Sequence, residues 1–166
     1  MKPAIRILGI DPGSNATGYA ILEVSGSRTQ PLDHGVIRMP RGSLPARLKT
    51  LHEHLRTIVR RNDPHEVAVE QVFTAVNVKS ALVLGHARGA VLLAVSGVSE
   101  VYEYAPRVVK KAVVGYGQAD KQQVARMITS LLCLPEVPPQ DAADALAIAL
   151  CHANMRNTRA RYEAAR

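Results

Sequence analysis

Cysteine is scarce in this chain: Cys133 and Cys151 are the only two in 166 residues. Both stand in apolar, helix-like surroundings, which reads as buried thiols in a reducing compartment and not as a disulfide framework. No apolar run reaches the ~20 residues of a bilayer-spanning helix. No charged leader with a separate apolar stretch and cleavage site precedes the first strand. The expectation is a cytoplasmic protein. The chain shows no internal repeat and no sign of a second domain. Acid is the minority charge, with 14 Asp and Glu against 21 Lys and Arg, a formal charge of +7 and a pI near 9.8. A basic balance favours an acidic partner, either nucleic acid or a membrane surface, without proving one. The rest, 47% hydrophobic and 21% charged, suits a globular domain large enough to bury a substantial core.

Three strands come first. Ile5 to Ile10 is short and apolar, Gly18 to Val24 contains YAILEV, and Asp33 to Met39 contains HGVIRM. Pro12-Gly13-Ser14-Asn15 and Ser25-Gly26-Ser27 between them are turns of hairpin length, so the chain opens as an antiparallel meander. From Leu44 the period turns helical: Leu44, Leu48, Leu51, Leu55, Ile58 and Val59 recur at spacings of three and four. Pro64 follows that helix, and Val67 to Glu70 (VAVE) reads as a buried strand. A long helix then runs from Asn77 to Val95, followed by a strand over Val101 to Tyr104. Two shorter helices bracket the loop Gly115-Tyr116-Gly117-Gln118-Ala119, and a last helix covers Gln140 to Asn154. This is an α/β order with a five-stranded mixed sheet, its first three strands antiparallel. Residues 1–155 read as one domain. The segment from Arg156 to Arg166, with four Arg and a single acid, is expected to be a mobile basic tail.

Most acids fit polar helix faces or turns, among them Glu53, Asp63, Glu66 and Glu136. Asp120 suits a helix cap, with Gln123 reaching back. Four acids instead adjoin core sequence. Asp11 follows ILGI, where it is either an Asx-type turn residue before Pro-Gly or a ligand. Glu70 ends VAVE, and is either turned to solvent or functional. Asp141 and Asp144 open DAADALAIAL, sharing one helix face with Cβ atoms ~5–6 Å apart. A cap and a first-turn acid favoured by the helix dipole would account for them. The rest of that helix is apolar nearly all round, however, and like charges on a packed helix call for a cation. All-oxygen donors with no His or Cys nearby suit Mg²⁺ or Mn²⁺. Acid-held metals in a basic protein point to phosphodiester hydrolysis, one ion helping deprotonate water and the other stabilising the leaving 3′ oxygen.

GIDPGSNATGYAIL, VAVEQVF, NVKSALVLGHARGA, RVVKKAVVG and DAADALAIAL resemble, in order and in combination, the RuvC family of bacterial Holliday junction resolvases. The likeness runs from about residue 5 to 153. It implies an RNase H-like fold, a homodimer and dependence on Mg²⁺ or Mn²⁺, two ions per site. It also implies symmetric paired nicks in four-way DNA junctions that leave 5′-phosphate ends, and the branch-migration partners RuvA and RuvB. The family's acidic quartet falls on Asp11, Glu70, Asp141 and Asp144, with no departure. Phe73 matches an aromatic that holds or unstacks a junction base; core packing is the bland alternative. Lys110 matches a basic residue near the scissile phosphate and Lys121 another on the DNA-facing surface, where solvated helix lysines are the alternative. Arg107 and Lys111 read as a general basic patch. Ala81, Gly85 and Gly89 form a smooth stripe suited to the chain's own sheet or to a dimer partner.

Three other readings share some of these features. The sugar-kinase, actin and chaperone ATPases share an Asp-x-Gly opening but need two such domains. YqgF-type nucleases acting on RNA share the fold, but VAVEQVF and DAAD fit RuvC better. A catalytically silent junction-binding protein would not need the full quartet.

Overall fold

A computed structural model of the chain describes residues 3–71, 77–98 and 100–164, with side chains to residue 158. Its strands are β1 (Ile5–Asp11), β2 (Ala16–Ser25), β3 (Arg28–Arg38), β4 (Glu66–Glu70) and β5 (Glu100–Tyr104). Its helices are α1 (Leu44–Asn62), α2 (Val78–Val95), α3 (Pro106–Val114), α4 (Lys121–Leu131) and α5 (Gln140–Ala164). The strands form one sheet in the order β3-β2-β1-β4-β5. β1 pairs antiparallel with β2 and parallel with β4; β2 pairs antiparallel with β3, and β4 parallel with β5. The five-stranded mixed sheet is therefore as expected.

Strand side chains alternate between faces, and each face carries its own core. Leu8, Ile10, Ile21, Val67 and Val69 meet Leu51 and Leu55 of α1 and Ala87, Val91, Ala94 and Val95 of α2. Ile7, Ala20, Leu22 and Ala68 meet α3, α4 and α5 on the other face. Leu51 and Leu55 are fully buried, each contributing ~1.5–3 kcal/mol, and they seat the otherwise polar α1.

α5 lies unusually close to the sheet because both surfaces are small. A Cβ added at Gly18 would sit 1.8 Å from the carbonyl oxygen of Asp141. One at Gly9 would sit 2.3 Å from that of Ala145 and 2.8 Å from the Ala149 Cβ. The facing helix supplies Ala142, Ala145 and Ala149, all buried. Gly9 and Gly18 thus set how near the start of α5 comes to the end of β1.

Several boundaries differ from expectation. β3 begins at Arg28, since the hairpin with β2 continues to Ser25↔Arg28 through a register shift at Ile21/Leu22. Pro31 is tolerated because β3 is an edge strand. α5 continues from the expected Asn154 to Ala164. Cys151 is buried, but Cys133 is exposed. It takes a left-handed backbone conformation just past α4 (φ 51°), where Leu134 N–H closes back on the Thr129 carbonyl at 2.9 Å.

α2 is long and apolar enough, by length and composition, to cross a membrane. Its 18 residues fall short of ~20 but within the range of real spans. Here it packs on the sheet and is held there by Arg88. Val78, Leu82 and Leu93 remain 77%, 60% and 64% exposed on its outer side. A Cβ at Gly85 or Gly89 would meet nothing within 4 Å, so the glycine stripe faces away from the chain's own sheet.

Candidate active site

Asp11 is the last residue of β1 and, two steps beyond Gly9, shares its face toward α5. Glu70 is the last residue of β4 and shares the face of Ala68. Parallel pairing runs to Ile10↔Val69, so the two carboxylates end adjacent strands on the same side of the sheet, where strands lie ~4.8 Å apart. α5 begins above them. Asp141 lies in its first turn, one residue after Gln140, and is not a cap; the Ala143 N–H reaches the Pro139 carbonyl at 2.9 Å. Asp144 follows on the next turn, accepting hydrogen bonds from Gln140 Nε2 at 2.9 Å and Lys121 Nζ at 3.1 Å.

Asp11, Glu70 and Asp144 line one cleft of ≈ 200 Å³ with Lys110 and Lys121, over an apolar floor of Pro106, Val109, Val124 and Ala147. Asp141 does not line the cleft, but its charge reaches Asp11. Arg107 and Lys111 are exposed on α3, outside the lining. Lys121 opens α4, whose cap is the box formed by Asp120 and Gln123. Phe73 lies outside the described residues.

Burial, then the charges of Glu70 and Asp144, push the Asp11 carboxyl up to about 8; Lys121 opposes this and Asp141 adds to it. Glu70 is also raised, by burial and then Asp144, against Lys121 and Lys110. Burial alone would lower Lys121, but Asp144, through charge and hydrogen bond, and then Asp11 and Asp141 raise it overall. The site is short of positive charge. Its donors are all oxygen, which fits a hard divalent cation. Among the described residues no three His, Cys, Asp or Glu side chains already form a cage for an ion. By donor chemistry and charge Asp11, Glu70 and Asp144, with Asp141 beside them, are the residues that would hold such an ion.

Sequence reading missed two supports. Arg88, a lone arginine on the apolar α2, donates from Nη1 to the Glu70 carbonyl at 3.2 Å, and its Nη2 pairs with Glu103. It thereby fixes the end of β4, and an arginine in the middle of an apolar helix was the available signal. Glu66, taken for a surface acid, is instead tied to α5. His152, buried, places Nε2 2.7 Å from Glu66 Oε2 and Nδ1 2.7 Å from the Tyr104 hydroxyl, and Arg156 Nε reaches Glu66 Oε1 at 3.0 Å. Burial raises Glu66, and the hydrogen bonds from His152 and Arg156 more than reverse it, leaving the carboxyl below its ordinary range.

The family model for crossover junction endodeoxyribonuclease RuvC matches residues 7–152. A curated relative of that name from Magnetococcus marinus is 50% identical over 154 residues, 92% of this chain and 86% of its own. Another, from Alkaliphilus oremlandii, is 49% identical over 154 residues, 91% of this chain and 94% of its own. The solved structure of T. thermophilus RuvC in complex with Holliday junction substrate matches with a TM-score of 0.86 at 37% identity, covering 93% of this chain and 96% of that one. The yeast mitochondrial Holliday junction resolvase Ydc2 matches at 15% identity with a TM-score of 0.68, over 96% of this chain and 83% of its own, a likeness of fold.

Proposed function

The chain belongs to the RuvC family of crossover junction endodeoxyribonucleases, and from that premise we propose how its RNase H-like domain resolves Holliday junctions. The observation that carries the reading is the cleft that gathers Asp11, Glu70 and Asp144 against Lys110 and Lys121. Asp11, Glu70, Asp141 and Asp144 hold the metal, Mg²⁺ or Mn²⁺, two ions per site. Bound there, the ions would supply Lewis-acid charge for activating water and stabilising a leaving 3′ oxygen, the chemistry that leaves 5′-phosphate ends. The chain's own residues do the rest. Lys110 and Lys121 receive the phosphate at the scissile bond, Lys121 exchanging its Asp144 partner for a phosphate oxygen. Val109, Val124 and Ala147 exclude bulk water from the floor, which strengthens each charge interaction above it. Gln140 keeps one Asp144 oxygen oriented when Lys121 leaves the other. Arg107 and Lys111 extend the basic surface beyond the cleft, and Phe73 stacks on a base at the junction.

Two nicks need two such clefts, and a second copy of the chain supplies the other through the exposed apolar face of α2. The chain acts in the cytoplasm with the RuvA and RuvB branch-migration proteins. Residues 1–155 form the nuclease domain, and residues 156–166 a basic extension.

The direct experiment incubates the protein with a labelled four-way junction and, separately, with linear duplex, each in Mg²⁺ and in Mn²⁺. Paired cutting of the junction alone is expected. Equal cutting of both substrates, or none in either metal, overturns the reading.

A further inference from the structure

Lys110 and Lys121 both stand on the α5 face of the sheet. A DNA strand that continues across the end of β1 reaches the opposite face, where α1 begins. There Asn15, Met39, Pro40, Arg41, Gly42 and Arg47 line an open pocket of ≈ 410 Å³. It belongs to the same end of the sheet as Asp11, since Asp11↔Gly18 and Ala16↔Arg38 are register partners. Ser14 is three residues from Asp11, so their Cα atoms lie within ~11 Å.

The pocket is built for an anion. Arg47 Nη2 donates to the Ser14 carbonyl and, at 2.8 Å, to Asn15 Oδ1. The Met39 N–H donates to the Asn15 carbonyl at 3.0 Å. These bonds fix Arg47 against the turn that follows Asp11, and they engage only one nitrogen of a guanidinium with donors on three. Arg41 is exposed beside it. Among the described residues neither arginine has a carboxylate within ion-pair distance. Two guanidinium groups with no acid between them favour a bidentate oxyanion.

We propose that this pocket takes a backbone phosphate of the bound DNA, on the sheet face opposite Lys110 and Lys121. The strand is then held on both sides of its position above Asp11. This site rests on the nuclease reading, because it is the polyanion already placed over Asp11 that reaches the pocket.

Arg41→Gln is the test, since Arg41 is exposed and its loss disturbs no bond that supports the turn. Arg28→Gln removes the same charge from the far end of β3 and serves as the control. Junction binding is measured without divalent metal over a series of salt concentrations. Arg41→Gln should weaken binding ~3–10-fold and reduce the salt slope by about 1, one phosphate contact being lost. Arg28→Gln should match the parent. Equal affinity and slope in Arg41→Gln and parent, or equal losses in the two variants, overturn the pocket and leave the nuclease reading intact. A parent that binds no junction overturns both.

Discussion

Asp11 carries a carboxyl pushed up to about 8 from an ordinary 3.8. Between those values the folded chain holds a proton that the unfolded chain has released. Metal-free stability therefore falls as pH rises from about 4 to about 8, and a bound divalent cation reverses the loss. Asp11→Asn removes the titration. In EDTA the variant should be more stable than the parent by about 2–5 kcal/mol at pH 8, and nearly equal to it at pH 4. Urea unfolding at the two pH values reads this difference. The same variant should lose junction cleavage and keep junction binding, because it removes an anionic ligand and no cation. Equal stability at pH 8, or loss of binding by the folded variant, would show that Asp11 has another role. At this scale the sequence was legible in part: of the four acids that break apolar runs, Asp11, Glu70 and Asp144 line one cleft and Asp141 does not. Glu66 was misread because its partner His152 is 86 positions away along the chain, beyond any local pattern.

The element that decides the site is α5, which carries Asp141 and Asp144 and rests on Gly9 and Gly18. The apolar run DALAIAL announced a packed helix, but its height above the sheet depends on two glycines in other strands. A methyl group at Gly18 would fall 1.8 Å from the Asp141 carbonyl oxygen, and rigid backbone must move to admit it. Gly18→Ala should destabilise the protein by about 2–4 kcal/mol, at or above the usual cost of overpacking. Cleavage should fall more than junction binding, since the shift displaces the start of α5 and spares the lysines. Thermal unfolding and a comparison of cutting rate with affinity would check both. A neutral Gly18→Ala would mean that α5 stands off the sheet. Other features were hidden for local reasons. The start of β3, Arg28-Thr29-Gln30-Pro31, has only Thr29 as a strand-favouring residue and is drawn into the sheet by pairing with β2. The end of α5 is too polar to show a buried face, yet Arg156 reaches Glu66 from it.

At the scale of the whole molecule, the proposed paired nicks need two copies of the cleft that Asp11, Glu70 and Asp144 line. A four-way junction has near two-fold symmetry, so an isologous dimer offers two clefts with matching geometry. The outer side of α2 has what such a contact needs: exposed Val78, Leu82 and Leu93 beside glycines that admit a close neighbour. The same helix carries Arg88, bonded to the Glu70 carbonyl, so the proposed interface and the catalytic edge share one rigid element. Leu82→Glu places a charge on that face, and Gly85→Leu fills its recess. Neither touches the chain's own core, and Gly85→Leu improves helix propensity by up to about 1 kcal/mol, so both chains should fold. At one concentration the parent should sediment as the proposed dimer and both variants as monomers. On a cruciform plasmid they should give nicked circles in place of linear product, because the two cuts are no longer made within one complex. A dimer that survives both substitutions would move the contact to another surface, and linear product from a proven monomer would remove the need for one.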